Sequence, residues 1–160
     1  MPGEISLAQV QYYAHPRNRF WPLMAGMCGF DPGLAYEKRL TALQACGVGL
    51  WDVLARCRRQ GSLDAAIERG SEEVVPLASL LPGLPSLQLI VCNGATAGRL
   101  FERHLLPAVR AQRPSLPIAI LPSTSPANAA FSLVDLQQRW QVVAEVLERT
   151  GNAATAHKKA

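Results

Sequence analysis

At 160 residues the chain is long enough to bury one sizeable core and too short for two ordinary ones, so one domain is expected. Hydrophobic residues make up 49% of it and charged residues 18%, which excludes a disordered chain, and the 12 Gly and 12 Pro follow no collagen-like period. The net charge of +4 falls to +2 once the terminal Lys158 and Lys159 are set aside, so overall charge alone does not point to nucleic acid. No apolar run reaches the ~18 residues of a membrane span, and the start Met1-Pro2-Gly3-Glu4 has neither a basic nor an apolar leader region. A cytoplasmic protein with no membrane partner is the expectation.

In chain order, Pro2-Gly3 makes an opening turn, and Gln11 to Pro22 mixes aromatics, His, Arg and Pro without periodicity, the mark of an ordered loop. Leu34 to Cys46 carries apolar residues at helical spacing and stops at Gly47, a good residue just past a helix end. Gly49 to Leu54 fits a strand or a turn, and Ser62 is placed to cap a helix through Glu68. Leu87 to Cys92 is a short apolar strand ending at Asn93-Gly94. One helix follows from Ala95 to Arg110, with Ala97, Leu100, Phe101 and Leu105 on one face. Pro117 to Leu121 is a second buried strand, and Pro122 to Ala129 a loop. The last helix starts near Ser132, where Asp135 stands at the third position of a capping box and Phe131 can staple to Leu136. It is expected to run to about Arg149 and stop at Gly151, so that residues 1–149 form the domain and 150–160 a polar tail. Strands alternating with helices imply an α/β fold with a parallel sheet covered on both faces. Ligands bind such sheets at the carboxyl ends of the strands, where Asn93 and Ser123 to Asn128 lie.

Arg outnumbers Lys thirteen to three. Arg17 and Arg19 flank Asn18, Arg56, Arg58 and Arg59 cluster, and Arg99, Arg103, Arg110 and Arg113 share one segment. Guanidinium meets phosphate bidentately, although each cluster also suits a solvated helix face. Cys28, Cys46, Cys57 and Cys92 are 18, 11 and 35 positions apart with no C-x-x-C pair, so no metal site is expected. Cys46 and Cys92 sit in apolar runs, where a reduced cysteine behaves as a small core residue.

The segment from Tyr12 to Trp21 packs aromatics, a carboxamide and two guanidiniums into ten residues. Aromatics can stack on a base, arginines neutralise phosphate and a carboxamide both donates and accepts, so the set fits nucleotide recognition. It equally fits an aromatic loop packed on the core.

Several of these stretches resemble one family. They are Met1-Pro2-Gly3, His15-Pro16-Arg17-Asn18-Arg19-Phe20-Trp21, Gly47 to Leu54 (GVGLWDVL), Gly61-Ser62-Leu63-Asp64 and Leu121 to Asn128 (LPSTSPAN). Together, and in this order, they are similar to the hypoxanthine-DNA glycosylase branch of the uracil-DNA glycosylase superfamily, over roughly residues 1 to 149. The resemblance implies a three-layer α/β/α fold with a central, mostly parallel sheet, which flips a deaminated base out of double-stranded DNA and hydrolyses its N-glycosidic bond. It also implies that the chain begins just after the strand that leads into the Pro-Gly turn, so that the first strand of the sheet is absent. Related enzymes carry an Asn or Asp in the Pro-Gly motif to position water, whereas Pro2-Gly3 here follows Met1 directly. In the hypoxanthine branch that role falls to the Asn of the H-P-R-N-R-F-W segment, Asn18. Asn93 matches the base-reading Asn, and Tyr13 the aromatic on which the base stacks. Pro2, Gly3, Arg17, Arg19, Ser123, Thr124, Ser125, Pro126, Ala127 and Asn128 match the DNA-contacting motifs. Related enzymes often have His or Asn where Ser123 stands, a departure at that position.

The chemistry implied needs no cofactor. Base departure leaves an oxocarbenium-like sugar, which DNA phosphates can stabilise, and a neutral Asn can orient water without being a strong base. Lys38, Lys158 and Lys159 lie outside the motif loops, which points away from a Schiff-base lyase and towards a monofunctional enzyme that leaves an abasic site. A monomer acting on DNA with a deaminated base, most simply hypoxanthine in deoxyinosine, is the leading expectation. The alternatives are a uracil or mismatch-specific glycosylase, a truncated, non-catalytic DNA-binding protein, and a hydrolase of free nucleosides. Bland roles also remain open: Asn93 as a helix cap, Asn18 bonded within its own loop, Tyr13 in the core, and His15 as a brace. Phe20 and Trp21 are expected to pack, and Asp52 and Asp64 to be structural.

Overall fold

The computed structural model describes residues 3–59, 67, 68 and 70–157, the last seven as backbone only. Pro2 and the Gly61-Ser62-Leu63-Asp64 segment lie outside the described residues. The first elements in chain order are α1 (Glu4–Gln9), α2 (Phe20–Cys28), α3 (Tyr36–Ala45), β1 (Leu54–Arg56), β2 (Glu73–Val74) and α4 (Leu77–Leu80). A 3₁₀ turn (Leu81–Gly83) leads to β3 (Ile90–Asn93), α5 (Ala95–His104), α6 (Leu106–Gln112), β4 (Ile118–Leu121), α7 (Leu133–Arg139) and α8 (Gln141–His157). The fold is mixed α/β. Its backbone divides into two units, Met1–His15 with Trp51–Ser123 and Pro16–Leu50 with Thr124–Ala160.

In the first unit β3 and β4 pair in parallel, from Ile90 beside Ile118 to Asn93 beside Leu121. Parallel neighbours need a crossover, which α5 and α6 supply. The expected single helix from Ala95 to Arg110 is thus two: it breaks at Leu105 (φ −112°, ψ −33°), because Pro107 in the first turn of α6 has no N–H to continue the α5 ladder. The break does not disturb the apolar stripe, since Phe101, Leu105 and Val109 enter one core with Val75, Leu81, Cys92 and Leu116. β3 starts at Ile90 rather than Leu87, whose N–H donates to Leu84 O at 3.1 Å and closes a turn.

Gly49 to Leu54 resolves into an irregular approach whose last residue opens β1, which pairs antiparallel with β2, Leu54 beside Val74. The helix expected through Glu68 does not hold at its end. Ile67 bridges Arg59 in antiparallel fashion and Glu68 N–H donates to Arg58 O at 2.9 Å, so this end follows the neighbouring extended chain. Two arginines of the supposed phosphate-binding segment are used internally. Arg110 donates to Pro114 O at 2.8 Å and Leu116 O at 2.7 Å, and Arg113 to Leu84 O at 2.6 Å.

In the second unit α2 packs on α3 and α7, and α7 on α8. The loop expected through Pro22 ends earlier, at Arg19, because Pro22 sits in the first turn of α2, where a missing N–H leaves no bond unmade. Phe20 and Trp21 are buried, as expected, and the Arg39 guanidinium stacks 4.6 Å from the Trp21 ring centre. α3 ends as the sequence predicts. Gly47 takes φ +87°, its N–H donates to Gln44 O at 2.9 Å, and Val48 N–H donates to Leu43 O at 3.1 Å. The ends of α2 and α3 are joined by a disulfide between Cys28 and Cys46, with Cα atoms 5.8 Å apart, which corrects the reading of Cys46 as a reduced core residue. Cys57 and Cys92 are thiols.

The capping box at Ser132 is present, with Asp135 N–H on the Ser132 hydroxyl at 3.2 Å and Ser132 N–H on the Asp135 carboxylate at 2.8 Å. Those bonds hold the Asp135 carboxyl below its usual range. The helix it starts is interrupted at Trp140 (φ −92°, ψ 7°), and α8 continues past Gly151, the expected stop, to His157. Among the described residues no helix is long and apolar enough to cross a membrane.

Candidate functional site

Asn93 is the last residue of β3, opposite Leu121, so the strand delivers it at the carboxyl end of the parallel pair. The chain then turns at Gly94, φ +105°, whose N–H donates to Leu121 O at 2.8 Å. A Cβ on Gly94 would stand 3.0 Å from the Ser123 Cβ, so only glycine lets the ends of β3 and β4 approach this closely. Gly94 is also the N-cap of α5, with no side chain capping it. Asn93 is therefore not the cap that its position allowed.

The Asn93 carboxamide instead bonds to the Tyr13 hydroxyl. Burial pushes the Tyr13 phenol pKa up, the Asn93 bond opposes that shift, and the Asp52 carboxylate adds to it. The phenol is therefore neutral at physiological pH. Tyr13 is half-buried as a residue, while its phenol lies deep among protein atoms. Its backbone is left-handed, φ +55°, and so is that of Val10, φ +51°. Both are uncommon for residues other than glycine. The segment is pinned by the buried Ser6, whose hydroxyl accepts Ala14 N–H at 3.1 Å and whose carbonyl accepts Gln11 N–H at 3.0 Å. Sequence reasoning passed over Ser6 and set Asp52 aside as structural. No motif marks Ser6, a single serine in a short helix.

In the second unit Asn18 stands just before α2, and its Oδ1 accepts Phe20 N–H at 3.0 Å. The bond uses one lone pair of that oxygen and leaves the geometry of an acceptor with a second. Arg19 is held differently from the expectation. Its backbone N–H donates to Thr124 O at 3.1 Å, and its guanidinium reaches Ser125 O at 2.5 Å, Asn128 O at 2.8 Å and Phe131 O. The fork satisfies carbonyls of the loop that follows β4. Thr124 is fully buried. Ser125 accepts Ala127 N–H on its hydroxyl at 3.3 Å and Asn128 N–H on its carbonyl at 3.0 Å, which folds the loop into a turn. Ala127 is exposed, Ser123, Ser125, Pro126 and Asn128 are half-buried, and Arg17 is exposed. Gly3 is the extended N-cap residue of α1. Among the described residues no group of three or more His, Cys, Asp and Glu could hold a metal ion.

An Asn at the end of a parallel strand, bonded to a half-buried tyrosine, and in the other unit an Asn at a helix start are carboxamide groups, which both donate and accept hydrogen bonds. No protein-family model matches the chain. A hypoxanthine DNA glycosylase of Methanosarcina acetivorans is 36% identical over 144 residues, which cover 89% of this chain and 85% of that protein. One from Methanosarcina barkeri is 37% identical over 99 residues, 61% of each chain. In structure the chain is similar to a solution NMR structure from Methanosarcina acetivorans described, provisionally, as a uracil DNA glycosylase. The TM-score is 0.75 at 36% identity, covering 92% of this chain and 86% of that one. The chain belongs to the hypoxanthine DNA glycosylase family of the uracil-DNA glycosylase superfamily.

Proposed function

We propose that the protein is a monofunctional DNA glycosylase of base-excision repair. It hydrolyses the N-glycosidic bond of deaminated bases, hypoxanthine in deoxyinosine first among them, and leaves an abasic site. The observation that carries this reading is the match to hypoxanthine DNA glycosylases over most of the chain, 36% identity across 89% of it. The partner is double-stranded DNA bearing the damaged base, and the protein acts as a cytoplasmic monomer with a three-layer α/β/α arrangement. Extrusion costs a few kcal/mol and costs least at mismatched or damaged pairs, so part of the selectivity precedes base reading.

In this reading Asn93 reads the base edge and Tyr13 lies against the extruded base. Asn18 orients the attacking water through Oδ1 while that oxygen also holds the first turn of α2. A neutral carboxamide cannot take a proton strongly, so water attacks late, on a largely broken bond whose positive sugar is stabilised by the DNA phosphates. Arg17, the exposed turn at Ala127 and the flanking Ser123, Ser125, Pro126 and Asn128 meet the DNA backbone, along with Pro2 and Gly3. Arg19 and Thr124 serve by shaping that turn.

The test is a panel of duplexes carrying single deoxyinosine, deoxyuridine or deoxyxanthosine, cleaved with alkali after incubation. Deoxyinosine is expected to be cut fastest. Preference for deoxyuridine would favour the uracil reading, which the description of the similar NMR structure supports. Binding without any release would favour a non-catalytic DNA-binding protein, and turnover of free inosine a nucleoside hydrolase. Asn18→Ser keeps an oxygen able to cap Phe20 but removes the carboxamide. It is expected to lower single-turnover release at least about 100-fold while duplex affinity and melting hold. An unchanged rate refutes the role of Asn18.

A further inference from the structure

We propose that Arg39 is a seat for a backbone phosphate of DNA, built on the rings of Trp21 and Tyr36 at the start of α2, three residues past Asn18. The inference takes its ligand from the DNA-acting reading above and its geometry from the second unit alone. Neither Tyr36 nor Arg39 falls within the motifs that resemble the family.

Tyr36 and Arg39 stand three apart in α3, so they share a face of that helix, and α3 packs on α2. That face meets Trp21, which is buried in the first turn of α2. The Trp21 and Tyr36 rings meet edge to face, their centres 5.8 Å apart and their planes at 89°, and Phe20 meets Trp21 likewise at 5.3 Å and 81°. Over this cluster lies the Arg39 guanidinium carbon, 4.6 Å from the Trp21 ring centre and 5.9 Å from that of Tyr36. A cation over an indole face is drawn to the ring quadrupole. The stack uses the flat face of the guanidinium and leaves its N–H groups, which lie in the plane, to other partners.

Among the described residues those partners are missing. Arg39 Nε is shut off from solvent with no hydrogen-bond acceptor, and neither Nη bonds to a described residue or pairs with a carboxylate there. The acids of the neighbouring elements are placed elsewhere. Glu37 stands two positions before Arg39 and so about 200° round α3, and α2 carries none. Asp31 accepts Gly33 N–H at 2.8 Å, and Asp135 of α7 is taken by Ser132. A half-buried cation without a counter-ion calls for a physical reason, since buried charges are paired as a rule. The rings supply part of the compensation. They also keep water from one side of the charge, which strengthens its pull on an anion at the other. The remaining edge carries both Nη groups, the fork that takes two oxygens of one phosphate. Because the stack already limits the side chain, less freedom is lost when that fork closes on a ligand. DNA presents such an oxygen pair at every nucleotide.

The experiment measures binding of the full chain to an undamaged duplex across a salt series, and follows the Arg39 Nε–H NMR signal, assigned by its absence in Arg39→Lys. Arg39→Gln removes the charge and is expected to reduce the slope of log affinity against log salt by about one. Lys38→Gln, at the exposed position beside it, is expected to keep the wild-type slope. In the wild type the Nε–H signal is expected to shift when duplex is added and to stay in place with inorganic phosphate at the same phosphate concentration. An unchanged slope in Arg39→Gln, an equal loss of slope in Lys38→Gln, or a signal indifferent to duplex each overturn the proposal. A signal that moves as far with inorganic phosphate alone overturns the assignment to DNA in favour of the free ion. If Arg39→Gln does not fold, the titration of the wild type decides by itself. Nothing in this test depends on base release. Failure to free a base from any duplex would end the glycosylase reading, while the seat stands or falls on the slope and the signal.

Discussion

Residue identity here matters most where a polar group is shared between folding and chemistry. Arg19 illustrates it. Its fork reaches three carbonyls of the Thr124-to-Phe131 stretch while its own N–H donates to a fourth, so it holds in place a loop with little regular structure. Lysine carries the same charge but not the planar fork. Arg19→Lys is therefore expected to lose about 2–4 kcal/mol of stability, seen in urea melts, because carbonyls half-screened from water lose charge-assisted bonds. Arg17 is exposed one residue before Asn18, where a phosphate can reach it. Arg17→Ala should reduce the slope of log affinity for DNA against log salt by about one. An unchanged slope would remove Arg17 from the phosphate-contacting set.

At the scale of elements, α5 meets β4 through a glycine. A Cβ on Gly98 would lie 2.6 to 2.9 Å from three side-chain carbons of Ile120, closer than atoms of this kind pack. Alanine favours a helix by up to about 1 kcal/mol over glycine, but overpacking costs about 1–3 kcal/mol, so Gly98→Ala is expected to destabilise on balance. In an Ile120→Ala background that penalty should vanish, which a cycle of four urea melts would measure. α7 is controlled at its first turn. The Asp135 carboxyl is held below its unfolded value by Ser132, so it stabilises the fold above the unfolded pKa, and that contribution is lost as pH falls through the folded one. Below about pH 4 the stability gap between wild type and Ser132→Ala should therefore narrow. A gap independent of pH would remove Asp135 from the cap.

At the scale of the whole molecule, the one disulfide among the described residues joins Cys28 and Cys46 within the second unit, across a sequence separation of 18. Closing a loop of about this length limits the unfolded chain by about 3 kcal/mol, so reduction, or replacement of both cysteines by serine, is expected to lower the melting temperature. Under non-reducing denaturation two thiols should titrate, Cys57 and Cys92, and four would refute the link. In the native protein at pH 8, Cys92 should alkylate far more slowly than Cys57. Burial pushes its pKa up to about 11, so little thiolate forms.

The sequence by itself determined the features written in local order. These are the two parallel strands, the Gly47 helix end, the Ser132 capping box and the motifs that placed the chain in its family. Each depends on residues a few positions apart, so propensity and spacing suffice to read it. The helix breaks at Leu105 and Trp140 were less legible, because apolar periodicity runs through both; Pro107 marks the first, but at Trp140 only the backbone records the changed ψ. What the tertiary structure alone decided are the partners of the polar groups. Asn93 bonds to Tyr13, Arg19 reaches carbonyls of the loop after β4, and Cys46 meets Cys28. A carboxamide, a guanidinium or a thiol has the same composition whichever partner it takes. Which one it takes is fixed by what folding brings within bonding distance, and no local pattern records that.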